Sequence, residues 1–260
     1  MELIEAKETI TGFIRTSCAK AGCDGVVVGL SGGVDSSLTA CLSTEALGPE
    51  NVLGIHMPEM NITPPEDVLD ATHIADLLGI GFKTVNISEI LEAFLHHIPE
   101  TGSTVSLAEG NLKARIRMAV LYYHANRLNY LVAGTGNKTE LLLGYFTKYG
   151  DGGVDIEPIG DLFKTEVFRL AGMMNVPEGI IQKPPSAALW EGQTDEGELG
   201  LTYEMIDRVL KLLEEGTEPG LVQSLTGVPE QSLAPLLGRI DRNLHKREAP
   251  PVASLDHLRP

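Results

Sequence analysis

The string GLSGGVDSS at residues 29–37 stands where a continuous apolar run, DGVVVGL (24–30), passes into a helical stretch from Leu38 to Leu47. A buried strand that ends in adjacent glycines and re-enters a helix is the opening half of a βαβ unit. The pattern recurs along the chain. NVLGIHM (51–57), GFKTVNI (81–87) and YLVAGTG (130–136) are further short apolar runs. Between them, EDVLDATHIADLLG (66–79), preceded by Pro64 and Pro65, and the stretch from Ser106 to Asn129 carry helical periodicity. Leu3, Ile4, Ile10, Phe13, Ile14 and Cys18 mark an earlier helix closed by Gly22. Strands that are apolar throughout and alternate with helices predict an α/β fold: a doubly wound parallel sheet of about five strands with helices on both faces.

Downstream, residues 144–161 are rich in Gly and Asp and read as a loop, followed by a helix from Phe163 to Met174. KPPSAALWEGQTDEGELG (183–200) is Pro- and Gly-rich with weak periodicity, which predicts a lid-like loop. The last sixty residues predict short helices broken at Gly216, Gly220 and Gly227, a helical C-terminal region over about 201–250. No repeat or linker divides the chain, so residues 1–260 read as a single domain.

Composition narrows the function classes. No run approaches the roughly 18 apolar residues of a spanning helix, and MELIEAKETI is too acidic for a signal peptide, so a cytoplasmic protein without a membrane partner is expected. Cys18, Cys23 and Cys41 lack the spacing of a zinc site and cannot all pair, which predicts reduced thiols. A net charge of −16 argues against nucleic acid as a partner. Residues 111–186 nonetheless carry nine Lys/Arg against seven Asp/Glu, a locally cationic stretch suited to a contained anionic ligand.

The glycine string is where chemistry is expected. It is not a Walker A loop, because no Lys follows the glycines in that arrangement. Gly32 and Gly33 permit close backbone approach, so successive N–H groups can form an anion nest at a helix N-terminus. Ser31 and Ser36 add hydroxyls, and Asp35 is suited to the Mg²⁺ that accompanies a polyphosphate. A plain glycine turn with Ser31 or Asp35 as a helix cap is the alternative reading of the same residues.

SGGxDS at a first β-to-α turn resembles the ATP pyrophosphatase, or PP-loop, superfamily, whose fold is of the adenine nucleotide alpha hydrolase type. Four further strings, GNLKARIRM (110–118), GTGNKTELLLGYFTKYGDGGVDIEPIGDLFKTEV (134–167), the 183–200 tract and HKR (245–247), occur in the order and spacing of the NAD synthetase family. The resemblance implies that Gly29, Leu30, Ser31, Gly32, Gly33, Val34, Asp35 and Ser36 wrap the phosphates of ATP, with Thr135, Lys164 and Ser186 as further ATP contacts. It implies Asp35 and Glu140 as Mg²⁺ ligands. Arg115, Lys148, Asp155, His245 and Lys246 match positions for a second substrate, deamido-NAD. Asp151 and Lys164 match catalytic positions, Asp151 for handling ammonium and Lys164 for offsetting charge on departing pyrophosphate.

The bare residues add constraints. A lysine near a helix start, as at Lys164, is unfavourable on dipole grounds as a solvated side chain, which favours an anionic ligand there. Arg115 and Arg117 lie two apart and cannot share a helix face, so Arg117 is expected on the surface. Asp151 between glycines is equally suited to satisfying turn N–H groups. Ala188 departs from the acidic residue that the resemblance would place there. Asp35→Ala is expected to abolish Mg-ATP turnover at little cost to the fold.

The implied activity is ATP-dependent amidation of deamido-NAD through an acyl-adenylate, giving NAD, AMP and pyrophosphate. The chain leaves little room for a glutaminase, so free ammonia or a separate ammonia donor is expected, and the family implies a homodimer. Another PP-loop ligase acting on a different acid, or a non-catalytic ATP-binding protein of the same fold, remains open on the sequence alone.

Overall fold

The computed structural model describes residues 2–98, 105–186 and 194–255. Four parallel strands form one sheet: β1 (Gly25–Gly29), β2 (Val52–His56), β3 (Gly81–Thr84) and β4 (Tyr130–Ala133), in the order β3-β2-β1-β4. The register places Val27 opposite Leu53 on one side and Val132 on the other. Each strand coincides with one of the apolar runs. A further parallel bridge joins Ala133 to Ile156, where a fifth strand would start, but Pro158 follows within two residues and has no N–H to extend a ladder.

The crossovers use α2 (Val34–Leu47) between β1 and β2, and α3 (Pro65–Leu78) between β2 and β3. The chain then passes through α4 (Ser88–His97) and α5 (Val105–Leu128) before β4 enters on the other side of β1. Side chains alternate across a strand, and the central strands β1 and β2 bury both faces, whereas edge strand β3 is largely exposed. Val26 and Val28 pack with Ile14 and Cys18 of α1 (Leu3–Ala21), Leu38 and Leu42 of α2, and Ile74 of α3. Val27, Leu53, Ile55 and Val132 pack with Leu91 of α4 and Ile116 and Ala125 of α5. The direction of travel reverses between β1 and β4, and in open α/β sheets that switch point, at the carboxyl ends of the strands, is where ligands bind.

After β4 come α6 (Lys138–Leu143), an irregular Gly-rich stretch, α7 (Lys164–Met173) and α8 (Glu178–Ile181). Buried Val167, Leu170 and Ala171 set α7 into the cluster of α1 and α2. The remaining helices are α9 (Asp195–Leu199), α10 (Tyr203–Glu214), α11 (Pro219–Thr226) and α12 (Glu230–Asn243). Ile206, Val209 and Leu210, with Val222, Leu233 and Leu236, build a separate apolar cluster that takes in Leu143 and Phe163. The breaks expected at Gly216 and Gly227 are present, with φ of 81° and 74°. Gly220 is a correction: it lies in the first turn of α11, because Pro219 at the first helical position initiates a helix there.

Candidate active site

Leu30 still belongs to the sheet, its N–H donating to the Ile55 carbonyl at 2.9 Å. The chain then turns through Ser31 to Gly33 into α2. Gly32 has φ +87°, and a Cβ there would lie 2.5 Å from the Asp67 carbonyl oxygen, so both conformation and space require glycine. The loop is braced from within. The Ser31 N–H donates to Ser36 Oγ at 3.2 Å, Ser36 Oγ donates to the Gly33 carbonyl at 3.0 Å, and the Gly33 N–H donates to Ser31 Oγ at 3.1 Å. Ser36 is buried and its hydroxyl is engaged in this bracing, whereas Ser31 is exposed. No side chain caps the N-terminus of α2, so the first-turn N–H groups behind the loop have no side-chain acceptor.

Asp35, in that first turn, faces two groups from distant parts of the chain. Its Oδ1 accepts from Asn137 Nδ2 at 2.9 Å, and its Oδ2 lies 2.5 Å from Lys164 Nζ. Glu140 Oε1 is 3.7 Å from the same ammonium. Lys164 is 2% exposed, so it is not a solvated residue at a helix start. The anionic groups that offset the dipole penalty are protein carboxylates. Burial alone would lower its pKa, but the Asp35 and Glu140 charges outweigh that and hold it raised. Burial, with the Asp35 charge added, pushes the Glu140 carboxyl up to about 8.

The local sequence positions this trio. Asn137 and Glu140 form a reciprocal capping box at the start of α6, which fixes the Glu140 side chain. Thr139 Oγ1 donates to Asp207 Oδ1 at 2.5 Å and accepts the Lys164 N–H at 3.0 Å, while Asp207 Oδ2 accepts the Thr165 N–H at 2.8 Å. Asp207, on α10, therefore fixes the start of α7 and with it Lys164.

A second group gathers at the far end of α6. Lys246 Nζ donates to the Gly144 and Phe146 carbonyls, both at 2.7 Å, and Lys148 Nζ to the His245 carbonyl at 2.5 Å. HKR thus folds back onto the loop after α6. Arg115 reaches the Lys148 carbonyl at 3.3 Å. Arg117 corrects the expectation that it lies at the surface. It is partly buried, and its Nε donates to the Met57 carbonyl at 3.1 Å, just beyond β2, while Arg115 is the exposed one. Helical spacing shows that the two face different ways but not which way is inward.

Asp151 accepts the Thr147 N–H at 3.0 Å. Its residue is open to solvent, yet enough protein surrounds the carboxylate that desolvation raises its pKa. Asp155 stands apart from the other proposed deamido-NAD contacts, accepting the Val132 N–H at 2.8 Å and the Tyr122 hydroxyl at 3.0 Å. Thr135 directly follows the Ala133–Gly134 end of β4, and Ser186 is exposed. Ala188 and the centre of the 183–200 tract lie outside the described residues.

Several participants escaped the sequence reading. Asn137 was visible as the cap of an N-x-x-E box. Glu157 fills the notch left by Gly134 and Gly136, accepting the Gly136 N–H at 3.2 Å. Lys183 bonds Asp67 and Asp70, whose i, i+3 spacing on one helix was the available signal. Two open cavities of ≈ 470 Å³ and ≈ 400 Å³ lie elsewhere, lined by Lys83, His124 and Arg127 in one and by Glu59, Ser88 and Glu92 in the other.

The NAD synthase family model matches residues 6–250. The NH(3)-dependent NAD(+) synthetase of Methanosarcina mazei is 55% identical over 255 residues, covering 98% of this chain and 100% of that protein. The enzyme of the same description from Archaeoglobus fulgidus is 48% identical, covering 99% and 100%. Among solved structures, an NMN synthetase from Francisella tularensis superposes with a TM-score of 0.87 at 34% identity, covering 98% of this chain and 100% of that one. An NH3-dependent NAD synthetase from Campylobacter jejuni, in complex with the nitrate ion, gives 0.81 at 35%, with the same coverage.

Proposed function

The chain belongs to the NAD synthase family, a family of ligases, and on that premise we propose that it amidates deamido-NAD with ammonia, using ATP, through an acyl-adenylate. The observation that carries this reading is the convergence of Asp35, Glu140 and Lys164 beside an open glycine loop at the switch point of the sheet. A free carboxylate is a poor electrophile. Attack of its oxygen on the α-phosphate of ATP expels pyrophosphate and gives a mixed anhydride, from which ammonia displaces AMP. The protein's task is to position anions and to balance charge where it develops.

Mg²⁺ fits the residues present. Asp35 and Glu140 offer two hard carboxylates directed at one cationic position, and Mg²⁺ is usually held by one or two carboxylates plus substrate phosphates. Bound there, the ion would supply positive charge to the triphosphate. Lys164 supplies a fixed ammonium beside those carboxylates, the loop N–H groups orient the phosphates, and Asp151, its pKa raised by desolvation, is suited to take the proton of an ammonium ion. Arg115, Lys148, His245 and Lys246 form the dinucleotide side, joined to the phosphate side by α6, about 9 Å long at 1.5 Å per residue.

A homodimer is part of the same reading. Phe94, Leu95 and Ile98 at the end of α4, with Leu107, Tyr123 and Leu128 on α5, are exposed apolar side chains on adjoining helices. A cytoplasmic setting agrees with three free thiols, and among the described residues no helix is long and apolar enough to cross a membrane.

The decisive assay supplies Mg-ATP with deamido-NAD and an ammonium salt, and follows NAD, AMP and pyrophosphate. Parallel arms replace ammonium by glutamine and deamido-NAD by nicotinic acid mononucleotide, the acid suggested by the Francisella neighbour's name. Equimolar NAD and AMP with ammonium are expected. AMP formation only with the mononucleotide, or with neither acid, would overturn the assignment.

A further inference from the structure

We propose that Lys183 is a positioning residue for the phosphate loop, holding the Gly32–Gly33 peptide so that its N–H faces the incoming triphosphate. The inference rests on the ATP site described above. Lys183 Nζ lies 3.3 Å from the Gly32 carbonyl oxygen and 2.7 Å from Asp67 Oδ1, and also bonds Asp70 Oδ2. An ammonium has three N–H donors, and three acceptors face it here. The two carboxylates outnumber the single ammonium, so the cluster is net negative and Lys183 offers phosphate no free positive charge. Burial would lower its pKa, but the hydrogen bonds it donates to Asp67 and Asp70 outweigh that, and the ammonium persists through neutral pH.

Its effect on the loop follows from peptide geometry. In a planar trans peptide the C=O and N–H point in opposite directions. Tying the Gly32 carbonyl towards α3 directs the Gly33 N–H to the other side, where Ser31 Oγ now receives it at 3.1 Å. Glycine on both sides of this peptide makes it unusually free to rotate, and a flip would turn a carbonyl oxygen onto a phosphate. The neighbouring wall is rigid, since α3 backbone at Asp67 lies against Gly32 with no room for a Cβ. Lys183 also precedes Ser186 by three residues, so the same ammonium tethers the segment carrying that expected ATP contact.

The test compares Lys183→Met with Asp67→Asn/Asp70→Asn, reading kcat and KM for ATP and for deamido-NAD, and the Kd of ATP and of adenosine by calorimetry. Thermal melts establish that each variant is folded, and Asp70→Asn alone is the milder substitute. Lys183→Met should raise KM and Kd for ATP about tenfold, adenosine Kd and deamido-NAD KM should stay within about twofold, and kcat at saturating ATP should fall less than about threefold. The double Asn variant frees the ammonium, and it separates the roles by sign. A positioning lysine that loses its anchors weakens ATP binding, whereas a phosphate-binding lysine relieved of two carboxylates tightens it. Tighter ATP binding in the double variant, or an unaltered ATP KM in Lys183→Met, would overturn the proposal. A wild-type chain that forms no AMP would instead count against the proposed function itself.

Discussion

Removing Asp35 takes away more than a proposed metal-binding oxygen. Its carboxylate is the closest partner of the Lys164 ammonium, and Glu140 is left alone at 3.7 Å. Stranding a buried charge costs several kcal/mol, so Asp35→Ala should lose about 2–4 kcal/mol of stability along with Mg-ATP turnover. Urea unfolding measures this, and an unmoved midpoint would show that the ammonium does not depend on Asp35. The sequence pattern alone suggested a nearly harmless turn substitution. Asp35 and Lys164 are separated by 129 positions, and nothing local announces that they meet. Glu157 makes a different point. Burial, with a smaller contribution from the Asp151 charge, pushes its carboxyl from 4.5 to about 8. Between those two values the folded protein keeps a proton that the unfolded chain has released, so stability falls as pH rises through that window and levels off above it. Glu157→Gln is neutral throughout. Variant and wild type should melt close together near pH 5, and the variant should melt higher at pH 8 to 9, by about 2–4 °C per kcal/mol. A difference independent of pH would mean that Glu157 is ionised in both states.

Helices and strands were legible where their periods are long. The four strands fall inside the apolar runs and the long helices follow the 3.6-residue spacing, although α2 begins at Val34, four residues before its apolar period shows, and β3 and β4 end three residues short of their runs. What the spacing did not convey was orientation, as Arg117 shows, or elements too short to display a period, such as six-residue α6. Gly220 marks a related limit: a glycine is a stop signal only if the chain has not just been restarted by a proline. The starts of α6 and α7 depend on one carboxylate from α10. Asp207 accepts from Thr139 Oγ1 and from the Thr165 N–H, so Asp207→Ala should cost about 1–3 kcal/mol, the range for leaving buried donors without an acceptor. It should also lower kcat through the displaced Lys164, while Thr139→Ser, which retains the hydroxyl, should stay near wild type. Equal losses in both variants would point to packing of the Thr139 methyl instead.

Across the whole molecule, sequence order fixes which loops share the carboxyl edge of the sheet, and this is why Asp35, Glu140 and Lys164 meet: Ser31 to Ser36 follow β1, Thr135 to Glu140 follow β4, and Lys164 begins the helix that packs on α2. The group around Lys148 was less legible, because its order depends on the HKR segment folding back through Lys246 onto carbonyls about a hundred positions earlier. The ammonium wedged between Asp35 and Glu140 carries one more consequence. Asp35 and the Lys164 ammonium already neutralise one another, and this protein carries that counter-charge on a buried stem. Chelation should therefore leave the hollow standing: excess EDTA is expected to shift the melting temperature by less than about 1 °C, because the fold holds its counter-charge without any added ion.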